Sequence, residues 1–261
     1  MTHFEISSSG LGVMISKSEK WALAAEHGFR EIEFAPPSDL FGLDKRHVLS
    51  MIQEDARKSG IRFTALSAGL ADASIALSLM PELACDLLVI RAGSCRIHPA
   101  DARTPVVDAH GLRRALEPMA LQAADTGVSM AVEFPAAWRS QSMIDLIEGL
   151  EAPAVGVCLD LGHAHLSEGA PEAIEQLAGY TRTIHLHDNV GRTDDHRPPF
   201  SGSIEWPPVL MELEKTGYSG PLVLELAGEP DAATTIARAV GARTRLQAIL
   251  DDLAQPMVFP E

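Results

Sequence analysis

Four side chains able to bind a divalent cation each close a short apolar run in the second half of the chain. The runs are Met130-Ala131-Val132-Glu133, Val155-Gly156-Val157-Cys158-Leu159-Asp160, Thr183-Ile184-His185 and Leu222-Val223-Leu224-Glu225. Two glutamates, one aspartate and one imidazole make an oxygen-rich donor set that suits Mn²⁺, Mg²⁺ or Co²⁺, with Zn²⁺ less favoured. Each residue also has a plain reading when taken alone. Glu133 reads as a salt-bridged carboxylate at a strand end, and Asp160 as a helix cap with His163 in the loop beyond. Glu225 resists such a reading, because Leu224 and Leu226 bracket it and a buried carboxylate needs a cation or several donors. The sharpest local pattern is Asp160-Leu161-Gly162-His163, where Gly162 permits a tight turn that brings His163 back over the strand end. His185-Leu186-His187-Asp188 sets His185 and His187 on one side of an extended segment, and one of the two could be a hydrogen-bonded core histidine. The register of all four donors at strand ends is what argues for a site.

The runs themselves predict the elements that hold them. They are short and apolar, as strands buried on both faces are, and a helical segment follows each of the first three. In a parallel sheet joined by helices, the residues that close successive strands gather at one end. Upstream, residues 4–7 read as a weak first strand, followed by a Ser/Gly loop through Gly12. Ser16 and Glu19 have capping-box spacing and open a helix to about His27, closed by Gly28. Strands are expected at 31–34, 61–66 and 87–90, and helices at 44–59, 72–83 and 106–126, with a last helix at 231–253. Eight strands alternating with helices predict right-handed crossovers and a parallel sheet. Eight such units in 261 residues favour a closed (β/α)₈ TIM barrel, one domain over residues 1–261, and no Gly-x-Gly-x-x-Gly turn points to a dinucleotide fold. In such a barrel the site lies at the C-terminal strand ends, where the four donors fall.

A formal charge of −15 argues against nucleic acid or an anionic membrane surface as partner. Cys85, Cys95 and Cys158 are too few for a disulfide framework and form no Cys-x-x-Cys pair, so reduced thiols are expected. No basic leader with an apolar stretch opens the chain, and no run of about 18 apolar residues occurs, which predicts a soluble, cytoplasmic protein.

Val132-Glu133-Phe134, Cys158 to His163, His185-Leu186-His187-Asp188 and Leu224-Glu225-Leu226 together resemble the xylose-isomerase-like TIM-barrel superfamily of sugar and sugar-phosphate isomerases and epimerases. The resemblance implies a divalent cation held by Glu133, Asp160, His185 and Glu225. It implies substrate contact by His163, and proton removal and return by Glu133 and Glu225 through a metal-stabilised enediolate. His187 is the less favoured ligand on the motif match. The loop from Asp194-Asp195-His196 to Gly202-Ser203-Ile204-Glu205-Trp206 resembles one that borders the pocket in relatives, although Phe200-Ser201 departs from their usual Gly-Glu. Arg192 could hold a substrate carboxylate or phosphate, Trp138 could stack on a sugar ring, and Glu33 closes strand two as a further substrate or supporting contact. His98, after strand four, reads as a loop residue. The expected partner is a small carbohydrate, and relatives are often dimers or tetramers, though no stripe marks an interface.

Three other functions compete with a ketose, keto-acid or sugar-phosphate isomerase or epimerase. A dehydratase of a keto-cyclitol or dehydroshikimate-like substrate begins with the same deprotonation and then expels a β-hydroxyl. An endonuclease IV-like repair enzyme needs three zinc ions with histidines from earlier strands, and Ala65-Leu66-Ser67 and Arg91-Ala92-Gly93 supply none. A non-enzymatic binding protein on the same barrel would have lost a ligand, and none of the four is lost.

Overall fold

The computed structural model describes residues 11–15, 20–36, 44–92, 109–227 and 231–253. Eight parallel strands run in chain order around a closed barrel: β1 (Leu11–Ile15), β2 (Glu31–Phe34), β3 (Arg62–Gly69), β4 (Leu87–Arg91), β5 (Ser129–Glu133), β6 (Val155–Asp160), β7 (Thr181–Leu186) and β8 (Leu222–Leu224). Pairing of β1 with β8 closes the ring, with Leu11 opposite Leu222. Outside it lie α1 (Trp21–Glu26), α2 (Lys45–Ser59), α3 (Ala73–Leu83), α4 (Ala109–Thr126), α5 (Ser140–Leu150), α6 (Leu161–Ser167), α7 (Ala170–Leu177), α8 (Trp206–Thr216) and α9 (Ala232–Leu253). Among the described residues no helix is long and apolar enough to cross a membrane.

The strands' two faces divide the apolar residues. Ile32, Leu66, Ile90, Val132, Val157, Leu159, Ile184 and Leu224 belong to the large outer core packed against the helices. Ala65, Leu87, Val89, Ala131 and Cys158 form a separate cluster on the alternate positions, which face inward. These inner residues are mostly small, so they fill the narrow barrel, and two positions further along the strands the inner face turns polar. There stand Ser67, Glu133 and Asp160, with Asp160 in register beside His185. The period of two thus delivers the donors to one face at one end.

Local signals account for most element ends. Asp44 caps α2 by accepting from His47 N at 3.0 Å, and Gly60 ends it with φ of 63°. One expectation needs correction. The first strand of the barrel is Leu11–Ile15, running through Gly12, where the sequence predicts the end of a Ser/Gly loop. A Cβ on Gly12 would stand 3.2 Å from the Glu31 carbonyl oxygen, so the missing side chain lets β1 approach its neighbour. The expected strand at 4–7, the helix opening at 16–19 and the loop with His98 lie outside the described residues. β3 runs on to Gly69, and β8 stops one residue before Glu225.

Candidate metal centre

Asp160 ends β6 and begins α6. Its Oδ1 accepts the backbone N–H of His163 at 2.8 Å, which caps the helix and leaves Oδ2 directed away from the cap. Gly162 follows in the first turn, and a Cβ there would overlap the His187 ring, so only glycine lets the two segments come this close. His163 is thereby held over the strand ends. Its Nδ1 donates to the Phe134 carbonyl at 2.8 Å, just beyond β5, and its Nε2 meets Asp194 Oδ2 at 3.1 Å. His163 Nδ1 is also 3.8 Å from Glu133 Oε1 and 3.6 Å from Asp160 Oδ2.

On the other side, His185 Nδ1 is 2.9 Å from Glu225 Oε2 and 4.0 Å from Asp160 Oδ2. Its Nε2 contacts the carboxylate of Glu33. Asp160, His185 and Glu225 each offer one atom within 4.8 Å of the others, as do Glu133, Asp160 and His163. Glu133 Oε2, Asp160 Oδ2, His185 Nδ1 and Glu225 Oε2 are all buried without a hydrogen-bond partner. An orphaned buried polar atom costs about 1–3 kcal/mol. Four of them converging, three anionic oxygens and one ring nitrogen, fit a divalent cation.

A second group adjoins the first. His163, His187, Asp194 and His196 also bring ligand atoms within 4.8 Å of one another. His187 is completely buried, its Nε2 lies 2.9 Å from Asp160 Oδ1, its Nδ1 has no hydrogen-bond partner among the described residues, and it stacks on His196 with centroids 4.1 Å apart. The loop between β7 and α8 carries Asp194 and His196, and two buried residues at its start hold it. Asp188 accepts from Asn189 N at 2.9 Å, Ile204 N at 3.2 Å and Trp206 Nε1 at 3.2 Å. Asn189 donates to Gly162 O and accepts from Gly191 N. His196 sits at φ of 46°, a costly conformation for a side-chain-bearing residue, as is common where a site dictates the backbone. Beside it a cavity of about 210 Å³ is lined by Asp195, His196, Arg197, Leu226 and Arg238, among others.

The charges are strongly coupled. Burial, aided by the Glu225 charge, pushes the Glu133 carboxyl up to about 7 against the pull of His163 and His185. Burial would raise Asp160 as well, but His163, His187 and His185 hold it well below the usual carboxylate range. Glu225 is lowered, His185 outweighing its burial. Against their own burial, His163 is raised well above the ordinary imidazole value by Asp160, Asp194 and Glu133, and His185 by neighbours that include Glu33 and Glu225. Burial also opposes charge on His196, which Asp194, Glu225 and Asp160 raise to about 9. Protons on the imidazoles therefore balance the carboxylates here, and a bound divalent cation would displace some of them.

Of the residues singled out in the sequence, Glu133, Asp160, His163, His185, His187 and Glu225 come together. Glu33 lies beneath them. Arg192 stands exposed on the loop and makes no hydrogen bond or ion pair with a described residue. Trp138 is 8% exposed and packs in the outer core rather than offering an open face. Asp194 and His196 entered the sequence reading only as a loop at the pocket edge, and the acid-x-His spacing was the available signal. Asp188 was missed as the loop's anchor, although an Asp-Asn pair one residue beyond a strand is a turn signal.

The chain belongs to the xylose isomerase-like TIM barrel family, whose model matches residues 21–246. Among solved structures it is similar to a D-tagatose 3-epimerase-like protein, at 19% identity and TM-score 0.73, over 94% of this chain and 98% of that one. A D-psicose 3-epimerase, determined in the presence of D-fructose, aligns at 17% identity and TM-score 0.72, over 94% and 100%. A xylose isomerase-like protein from Mycobacterium smegmatis, in complex with magnesium, aligns at 15% and 0.71, over 91% and 89%. At these identities the likeness is one of fold. The chain spans less than half the length of the curated relatives it matches. A rhizopine catabolism protein of Rhizobium meliloti is 27% identical over 141 residues, 46% of this chain and 43% of the relative.

Proposed function

We propose that the protein is a divalent-metal-dependent isomerase or epimerase of a small sugar, keto-acid or sugar phosphate. The observation that carries this reading is the set of four buried, unpartnered donor atoms on Glu133, Asp160, His185 and Glu225. These four would hold the cation, and the magnesium complex of one structural neighbour and the epimerase and epimerase-like protein among the others support the choice. When bound, the cation polarises the carbonyl of a chelated hydroxy-ketone and so acidifies the adjacent C–H.

The chain's own groups do the rest. Glu133 and Glu225 enter from β5 and from the end of β8, so one can take the α-proton and the other return it from the opposite side. A bound cation would lower the Glu133 carboxyl from its raised metal-free position, so acidification of the substrate C–H must match the base to its task. His163, anchored through Nδ1 to the Phe134 carbonyl, presents its Nε2–H towards Asp194 and towards a substrate oxygen that enters beside it. The unpartnered Nδ1 of buried His187 and the convergence of four ligand atoms favour one variation, a second cation held by His163, His187, Asp194 and His196.

The test is solvent deuterium exchange. Mn²⁺- or Mg²⁺-loaded protein is incubated in D₂O with a panel of ketoses, keto-acids and keto-cyclitols, with Glu225→Gln as control. A metal-dependent gain of one mass unit, absent in the variant, is expected. Loss of one water from a substrate would move the assignment to a dehydratase, and failure to bind any divalent cation would refute the proposal.

A further inference from the structure

Glu33 is completely buried on the inner face of β2, yet it is not one of the four strand-end donors. A carboxylate in such a place has lost its hydration and needs a partner to offset that loss. No lysine or arginine among the described residues pairs with it. Its hydrogen-bond partner among the described residues is His185 alone, whose Nε2 lies 3.0 Å from Oε2 and 3.1 Å from Oε1. Strands β8 and β1 separate β7 from β2 around the wall, so this contact crosses the barrel interior. The small residues of the inner face, Ala65 in register with Glu33 among them, leave the path open.

The opposite ring nitrogen of His185 is the orphaned Nδ1, 2.9 Å from Glu225 Oε2. An imidazole offers a metal lone pair only at the nitrogen that carries no proton, and a hydrogen bond at the far nitrogen decides which one that is. We propose that Glu33 is the positioning residue of the centre. It accepts the Nε2 proton of His185, which fixes the ring's rotation and leaves Nδ1 as the atom that faces Asp160 and Glu225. Its negative charge behind the ring also strengthens Nδ1 as a donor. The inference rests on the metal-centre reading, and it adds a fourth carboxylate, one that acts through the histidine without touching the ion.

Two measurements test it. In metal-free protein with ¹⁵N-labelled histidine, His185, assigned by loss of its signal in His185→Gln, should give a slowly exchanging, downfield Nε2–H resonance. Glu33→Gln should move that resonance upfield, because a neutral amide oxygen is a weaker acceptor. In calorimetric titration with Mn²⁺, Glu33→Gln should bind about 10–100-fold more weakly than wild type, the usual effect of losing a histidine's supporting carboxylate. Glu33→Asp, which keeps the charge, should fall between them. The metal-free thermal midpoint of Glu33→Gln should fall, since removing one partner of a buried pair leaves the other uncompensated. A purely structural role would lower the midpoint but leave the Nε2–H resonance of the folded protein unmoved. An Nε2–H signal that is absent from wild type or unmoved in Glu33→Gln overturns the proposal, as does Mn²⁺ affinity within twofold of wild type. Wild-type protein that takes up no Mn²⁺ would sink the metal centre, while the resonance measurement would still decide the Glu33–His185 pairing.

Discussion

Replacing Asp188 with asparagine isolates the anchor of the loop that carries Asp194 and His196. In the native protein Oδ1 of Asp188 accepts from the N–H groups of Asn189 and Ile204, and Oδ2 accepts from the Trp206 indole. Asparagine keeps one oxygen for the two backbone donors but turns an NH₂ towards the indole N–H, donor against donor. The variant loses a charge-assisted bond worth about 1.5–3 kcal/mol and leaves a buried N–H unpaired, and the two effects overlap to about 2–4 kcal/mol. For a chain of this size, at roughly 2–4 °C per kcal/mol, the thermal midpoint should fall by about 5–15 °C. Trp206 is also the first residue of α8, so the damage should centre on that junction. Near-ultraviolet circular dichroism would follow the midpoint of the metal-free protein, and amide hydrogen exchange would locate the loosening to residues 189–206. A midpoint within about 1 °C of wild type, or unchanged exchange in that segment, would refute the assignment of Asp188 as anchor.

Gly162→Ala should drive the His187 ring from its place, lowering stability by about 1–3 kcal/mol, and under the two-cation variation should reduce metal content, read by plasma mass spectrometry, by one ion. Chelation of metal-loaded wild type should remove the stabilisation that binding supplied, about 2.7 kcal/mol when free cation stood near 100 times Kd. Glu225→Gln should show almost no thermal response to Mn²⁺ or to chelator, and an equal response in both proteins would contradict the ligand set. Cys85 is buried and burial pushes its thiol up to about 11, while Cys158 is pushed beyond the ordinary range, so neither should be a thiolate near neutral pH. Peptide mapping after alkylation of native protein at pH 8 should find both unmodified, and rapid labelling of either would contradict the described burial.

The second half of the barrel was legible because there an apolar run ends in a donor four times over, and a parallel topology needs no further information to gather them. Asp160 also carried its own local signal in the glycine and histidine that follow it. β1 was misplaced because Gly12 looks like a loop residue until the neighbouring backbone that excludes a side chain is known. The roles of Asp194 and His196 were hidden for a different reason. Their loop has no periodicity, and its path depends on Asp188 and Asn189 bonding to groups up to 27 residues away in the chain. Glu33 was visible as a strand-end acid, but its pairing with a histidine 152 residues distant exists only once the barrel closes. Trp138 and Arg192 were chosen by residue type and neighbourhood, and side-chain direction, which decides their use, is not written in either.

Asp160 and Glu225 differ in what else they must do. Asp160 starts a helix with one oxygen and offers the other to the centre, so a descendant that abandons catalysis would still be under pressure to keep it. The Glu225 side chain caps no helix, and its ion-pair partners among the described residues, His185 at 2.9 Å and His196 at 3.9 Å, belong to the centre itself. A lineage drifting towards a non-catalytic role could discard it with little harm to folding. Among relatives, then, an aspartate at the first position says only that the architecture survives. The glutamate after β8 is the position at which a loss of chemistry would first be recorded.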